Sequence, residues 1–392
     1  MERMDAAELK ARRFAALRQC DRILSAARQS TVREQLERLV ADADGAFDLD
    51  SMPDQYCDGI VAELERRTAE LLGMEEGAFF PTGTMAQQIA LRCWAARTGN
   101  PAVALHPLAH PEVHERRAFS DVSGLRSVYP TTEPRLPSAA EVRELGEPFG
   151  TLMLELPLRE AGFVLPSWDE LCETVGAARA RKAVVHLDGA RLWESTPHLG
   201  RTLSEVSGLG DSVYVSFYKA LGAFSGAVVA GPRDLVREMT AWRHRYGGQV
   251  YSQWPTVLAA LAALDKELPR LESYVAHAKP VAAALNEAFD GVVPWFRVHP
   301  DPPHTHQFQL WLPCSAAVLN AAGLAQAEES RTSVFGPWSE PGVPGVSRTE
   351  VTVASSALEW SAADVVAGVQ AWLGFVEREG KALRESGETE GG

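Results

Sequence analysis

The chain has 392 residues, 46% hydrophobic and 23% charged, with a formal net charge of −14. That length supports one large core plus a smaller domain in ordinary globular proportions. The acidic balance argues against nucleic-acid and anionic-membrane partners, which are repelled overall, but leaves room for a small phosphate held by local backbone donors.

The start, MERMDAAELKARR, lacks the apolar core of a signal peptide, and no apolar run approaches the roughly 18 residues of a membrane span. Cys20, Cys57, Cys93, Cys172 and Cys314 include no CxxC pair, which reads as reduced thiols. Together these predict a soluble, cytoplasmic protein. Residues 5–28 carry helical periodicity through Leu9, Phe14, Leu17, Ile23 and Leu24. The acidic stretch 41–59 reads as a loop, and VAELERRTAELL at 61–72 as an amphipathic helix closed by Gly73. Phe79-Phe80 end a buried segment, Pro81 breaks it, and Thr82-Gly83-Thr84 open a helix, a ready anion site at a helix N-terminus. A short strand at 102–105 leads into HPLAHPEVHERRAF, which carries His106, His110, His114 and Glu115. A metal site is disfavoured there, because Pro111 interrupts the cluster and no Cys or Asp joins it.

Short apolar runs at 128–129 and 151–155 alternate with amphipathic helices, giving the rhythm of a mainly parallel sheet from about 78 to 231. Neither GxGxxG nor GxxxxGK[ST] occurs, which removes dinucleotide and P-loop readings. Two further runs then deliver one charged residue each to the C-terminal edge of that sheet. AVVHLDGARLWES ends a strand at Asp188, and SVYVSFYKALGAFSGAVVAG ends another just before Lys219. An acid and an amine placed this way suit pyridoxal phosphate (PLP). The amine forms a Schiff base with the cofactor aldehyde, and the carboxylate keeps the pyridine nitrogen protonated. Helices are expected at 234–246, 255–274, 316–327 and 361–377, with strands at 295–299, 307–312 and 350–353.

The segments HLDGARLW, SFYKALGAFSGAVVAG and YCDGIVAELERRTAELLGMEEGAFFPTGTMAQQIAL resemble the threonine aldolase branch of the β-eliminating lyase superfamily. LELPLREAGFVLPSWDEL is similar to that family's Leu-Glu-Asn loop. The resemblance implies an α/β, fold-type I PLP-dependent transferase-like architecture, with a large mainly parallel-sheet domain and a smaller C-terminal α+β domain. The expected boundaries are an N-terminal helix and arm at 1–50, the PLP domain at 51–270, the small domain at 271–379 and a disordered tail at 380–392.

It also implies roles. Lys219 carries the cofactor, Asp188 pairs with its ring nitrogen, and His110 stacks on the ring with Glu115 as polar companion. Gly83, Thr84 and Met85 face the phosphate, and Arg191 binds a carboxylate or cofactor oxygen. The family's serine before the lysine is here Tyr218, whose hydroxyl or that of Ser216 takes its place. The C-terminal substrate-carboxylate arginine corresponds to Arg348, whereas an ungapped alignment on LEWS puts Val353 there, with Ser355 or Ser356 assisting. The activity implied is cleavage of a β-hydroxy-α-amino acid to glycine and an aldehyde, by a homodimer or homotetramer. β-Elimination from a serine- or cysteine-like amino acid, and a non-catalytic PLP-fold partner protein, are the alternatives.

Overall fold

Six short, mostly apolar runs are buried along nearly their whole length, which is the pattern of strands covered on both faces. In the computed structural model, which describes residues 6–43 and 45–388, they belong to a seven-stranded sheet. Its strands in chain order are β1 (Glu76–Phe80), β2 (Ala102–Ala104), β3 (Arg126–Val128), β4 (Thr151–Glu155), β5 (Val184–Gly189), β6 (Ser212–Ser216) and β7 (Ala227–Gly231). The spatial order is β1-β7-β6-β5-β4-β2-β3, and only β7 runs against its neighbours. The sheet lies in a compact unit of residues 36–271.

Register places the site. Glu155 of β4 pairs with Asp188 of β5, which pairs with Tyr214 of β6. Residues paired in register point to the same face, so three polar side chains form one row at the C-terminal edge.

The helix Gly83–Thr98 lies against this face, with Ala86, Ile89, Ala90 and Cys93 in a cluster with Tyr214 and Val229. Thr82 caps it, accepting from the Met85 amide at 3.3 Å. Deeper in, the helix is latched to β5 and β6. The Trp94 indole N–H donates to Ser212 Oγ at 2.7 Å, His186 Nδ1 lies 2.7 Å from the same hydroxyl, and His186 Nε2 lies 2.7 Å from Gln87 Oε1. One tautomer satisfies all three: Ser212 donates to Nδ1, and Nε2–H donates to the Gln87 carbonyl oxygen. Burial pulls the His186 pKa down to about 3, so the ring is a neutral structural link.

A second unit gathers residues up to 35 with those from 272 onward. It holds a four-stranded antiparallel sheet of β8 (Arg297–His299), β9 (Gln307–Leu312), β10 (Trp338–Ser339) and β11 (Ser347–Thr352), in the order β10-β11-β9-β8. Its core is aromatic, with Phe289, Phe335, Trp338 and Trp372 in ring contact.

Several elements differ from expectation. The first helix stops at Gln19, and Arg22–Ile23 form a two-residue strand parallel to Thr332–Ser333. Ile23 and Leu24 are thus buried by a partner some 300 residues away in sequence, not by a helix face. Residues Val32–Ala43 are helical, and the expected helix 255–274 is two, Trp254–Lys266 and Leu271–Phe289. The closing helix spans Ala362–Glu388 and so runs through most of the expected tail, whose last four residues lie outside the described residues.

Candidate active site

The site is assembled from the C-terminal ends of β4, β5 and β6. Asp188 is buried, and the Ala190 amide of its own turn donates to Oδ1 at 3.1 Å. Burial pushes its pKa up, and the nearby charge of Glu115 adds to this, against Arg191 and Lys219. Such a carboxylate is suited to a buried cationic partner. Lys219, half-buried in the loop after β6, has its pKa pulled down to about 8. Desolvation is the main cause, followed by the cations Arg191 and Arg159. The Lys219 ammonium lies 4.9 Å from the Tyr218 ring centroid.

Gly83 brings the helix N-terminus to the same place. A Cβ there would sit 2.1 Å from Tyr214 Oη and 3.5 Å from Tyr218 Oη, so only a bare backbone fits against the two hydroxyls. The first turn leaves the amides of Gly83 and Thr84 without intrahelical acceptors. The Met85 amide is taken by Thr82, and a Cβ on Gly248 would meet Met85 Sδ at 2.3 Å, so the Met85 side chain packs away on the Gly247–Gly248 turn.

His110 opens the short helix His110–His114, and its Nδ1 lies 3.3 Å from Glu115 Oε1. Glu115 is fixed from behind, accepting from Gln88 Nε2 at 2.9 Å, while Gln88 Oε1 accepts from Ser123 Oγ at 2.7 Å. The His114 ring stands 5.1 Å from His110, and its Nε2 is 2.9 Å from Glu160 Oε1. His106 has a structural job, its Nε2 bonding the Glu133 carbonyl oxygen and its Nδ1 accepting from the Leu108 amide.

The Arg191 guanidinium lies 5.3 Å from the Phe163 ring centroid. Ser216 is fully buried and donates to the Ala190 carbonyl at 2.9 Å, while its own carbonyl accepts from Trp193 Nε1. Its hydroxyl therefore locks the Asp188-Gly189-Ala190 turn to β6. Arg348 lies on β11 in the other unit, opposite Trp311, whose ring its guanidinium approaches at 5.8 Å.

Two residues of this site were not visible in sequence. Glu155 is buried beside Asp188, and Arg159 is an electrostatic neighbour of Lys219. The signals that pointed to this stretch were its place at the end of an apolar run and the resemblance of LELPLREAGFVLPSWDEL to a family loop, neither of which gave Glu155 or Arg159 a role.

Residues 54–295 match the family model described as beta-eliminating lyase. The low-specificity L-threonine aldolase 1 of Arabidopsis thaliana is 28% identical over 241 residues, 59% of this chain and 67% of that protein. The alanine racemase TOXG of Cochliobolus carbonum is 32% identical over 214 residues, so the match spans about half of each, 52% and 54%. The crystal structure of a putative L-allo-threonine aldolase from Listeria monocytogenes superposes with a TM-score of 0.83 at 31% identity, over 95% of this chain and 99% of that one. With more than half of its length under the family model, and with an acid, an amine and a helix N-terminus meeting at one sheet edge, the chain belongs to the beta-eliminating lyase family.

Proposed function

We propose that the chain is a PLP-dependent carbon–carbon lyase that cleaves β-hydroxy-α-amino acids to glycine and an aldehyde. The observation that carries this is the meeting of buried Asp188, the depressed amine of Lys219 and the bare Gly83 backbone at one sheet edge. The donor set fits the cofactor group by group. The amides of Gly83 and Thr84 and the Tyr218 hydroxyl suit a phosphate, Asp188 suits a protonated ring nitrogen, Lys219 suits the aldehyde carbon and His110 suits the ring face. Once bound, the cofactor supplies an electron sink for charge developing at the substrate Cα.

The chain's own residues do the rest. Near neutral pH part of the Lys219 population is unprotonated, the form that can attack a carbonyl carbon or take a proton. Glu115 Oε1 stands 3.3 Å from His110 Nδ1, where its charge favours the ring orientation, and Nε2 is the proposed acceptor of the β-hydroxyl proton. As that O–H pair becomes the aldehyde C=O, the Cα–Cβ pair withdraws to Cα, and a proton returned to Cα completes glycine. Arg191 is the proposed carboxylate ligand, because a planar guanidinium donates two parallel hydrogen bonds. Low-specificity threonine aldolase activity in the Arabidopsis relative supports this reaction over others. A second reading is β-elimination begun by α-proton removal at Lys219, for which the racemase relative's name supports the α-proton chemistry and the family's description the elimination.

A homodimer or larger assembly in the cytoplasm completes the proposal. Exposed Tyr56, Val250, Tyr251 and Trp254 support the first part, and five cysteines without a disulfide support the second. No helix among the described residues is long and apolar enough to cross a membrane.

The test is an absorbance spectrum of purified protein before and after borohydride, with Lys219→Ala alongside, followed by product analysis on β-hydroxy amino acids and light scattering for mass. A visible band abolished by the mutation, with equimolar glycine and aldehyde, is expected. Pyruvate as product would move the assignment to β-elimination, and a protein that stays colourless with added PLP would overturn the lyase reading.

A further inference from the structure

Glu155 is a buried carboxylate that the proposed bond cleavage leaves without a task. It closes β4 directly beside Asp188. Its two oxygens reach in different directions. The His110 amide donates to Oε2 at 2.8 Å, and the Arg159 amide donates to Oε1 at 3.2 Å. His110 belongs to the segment that follows β2, and Arg159 to the loop that follows β4. One side chain rooted in the sheet therefore holds the backbone of two loops, each bringing a functional group to the rim. A carboxylate is suited to this, since both of its oxygens are pure acceptors, whereas a glutamine of the same shape offers only one.

We propose that Glu155 is a positioning residue that ties the His110 loop and the Arg159 loop to the Asp188 strand, fixing both walls of the site against its floor. The inference rests on the reading of the site given above, but its tests read the chain without any bound cofactor. Burial and the neighbouring Asp188 both make the Glu155 charge costly, and the two amide donors and His110 offset this. A carboxylate kept in a dry place at such a cost, when a packing leucine would cost nothing, points to a task for its charge and its two lone-pair directions. The charge also acts on Lys219, which is flanked by the cations Arg191 and Arg159 and by the anions Asp188 and Glu155.

The experiment compares the full-length wild type with Glu155→Gln, both treated with hydroxylamine to release any carbonyl compound held by Lys219 and then dialysed. Hydrogen exchange is read at the His110 and Arg159 amides, and the pH dependence of Lys219 labelling by an amine reagent is read by peptide mass. In the wild type both amides should be protected. In the variant at least one should exchange roughly tenfold faster or more, the loss expected for a hydrogen bond to a charged acceptor. The labelling midpoint of Lys219 should fall below the wild-type value near 8, because an anion that holds the proton on the amine is gone. A purely structural residue would change melting temperature without moving that midpoint. Unchanged exchange and an unchanged midpoint in a folded variant would overturn the proposal. If the variant does not fold, the wild type alone decides, since rapid exchange at both amides would equally overturn it. Neither readout depends on PLP binding, so failure of the lyase reading and failure of this one are separable.

Discussion

Asp188 and Lys219 are individually ordinary residue types, and their surroundings set their chemistry. Asp188 is held where ionisation is opposed, and Lys219 where protonation is. These are complementary deviations, since a cationic ring nitrogen relieves the first and an uncharged amine is what the second must supply. Asp188→Asn keeps the shape and removes the charge. Its expected effect is a fall in kcat of about a hundredfold or more, with the visible band retained, measured by steady-state kinetics and absorbance. A variant with unchanged kcat would show that the ring nitrogen needs no anion here. Both residues were legible in sequence because each ends a short buried run, so strand placement and motif agreed. Glu155 and Arg159 were not, because their importance comes from a register between parallel strands about thirty residues apart, and periodicity carries no pairing information. Ser216 shows the converse. Sequence placed it near the cofactor, but its hydroxyl is directed to the Ala190 carbonyl, a choice set by the β5–β6 packing.

At the scale of the element, the helix Gly83–Thr98 separates stability from binding in two adjacent positions. Thr82 serves the helix, accepting from the Met85 amide, and Thr82→Ala should cost about 1 kcal/mol of stability, visible in denaturant melts. Gly83 serves the approach to Tyr214 and Tyr218. In Gly83→Ala the new methyl overlaps a buried hydroxyl, and overpacking of this kind costs about 1–3 kcal/mol. If the helix end retreats to relieve it, PLP affinity should fall by about ten- to a hundredfold in a fluorescence titration, whereas Thr82→Ala should leave affinity within a few-fold. Equal affinities in the two variants would remove the helix N-terminus from the cofactor site. The start of this helix was readable because Pro81 and the cap are local signals. The end of the first helix was not, because Ile23 and Leu24 fit a helical period and a strand equally, and the strand Thr332–Ser333 decided between them.

For the whole molecule, the paired carboxylates at the floor of the site predict how stability follows pH. Folded Asp188 and Glu155 both have raised pKa values, so between their ordinary range and about 7 the folded chain binds more protons than the unfolded one. Stability contributed by their protonated forms is fully present below the unfolded values and is lost as pH rises through the folded ones. The contribution of these two carboxyls to the stability of the cofactor-free protein should therefore fall between pH 4 and about 7, against a rise of opposite sign from buried His186, whose pKa is pulled down to about 3. The net charge of −14 adds self-repulsion of the same sign as the carboxyls, so the wild-type slope alone does not assign the cause. Asp188→Asn does, because it changes the total by one charge in fourteen but removes one of two neighbouring buried carboxyls. The variant should melt higher than wild type near pH 7 and show a flatter profile, as a site relieved of a charge kept for function gains stability. PLP should raise the wild-type melting temperature at pH 7 and do so less for the variant, since it brings the cation that the buried anion lacks. Parallel profiles for the two proteins without cofactor would mean that Asp188 is ionised at no cost, and the case for a cation-seeking floor to this site would fall with them.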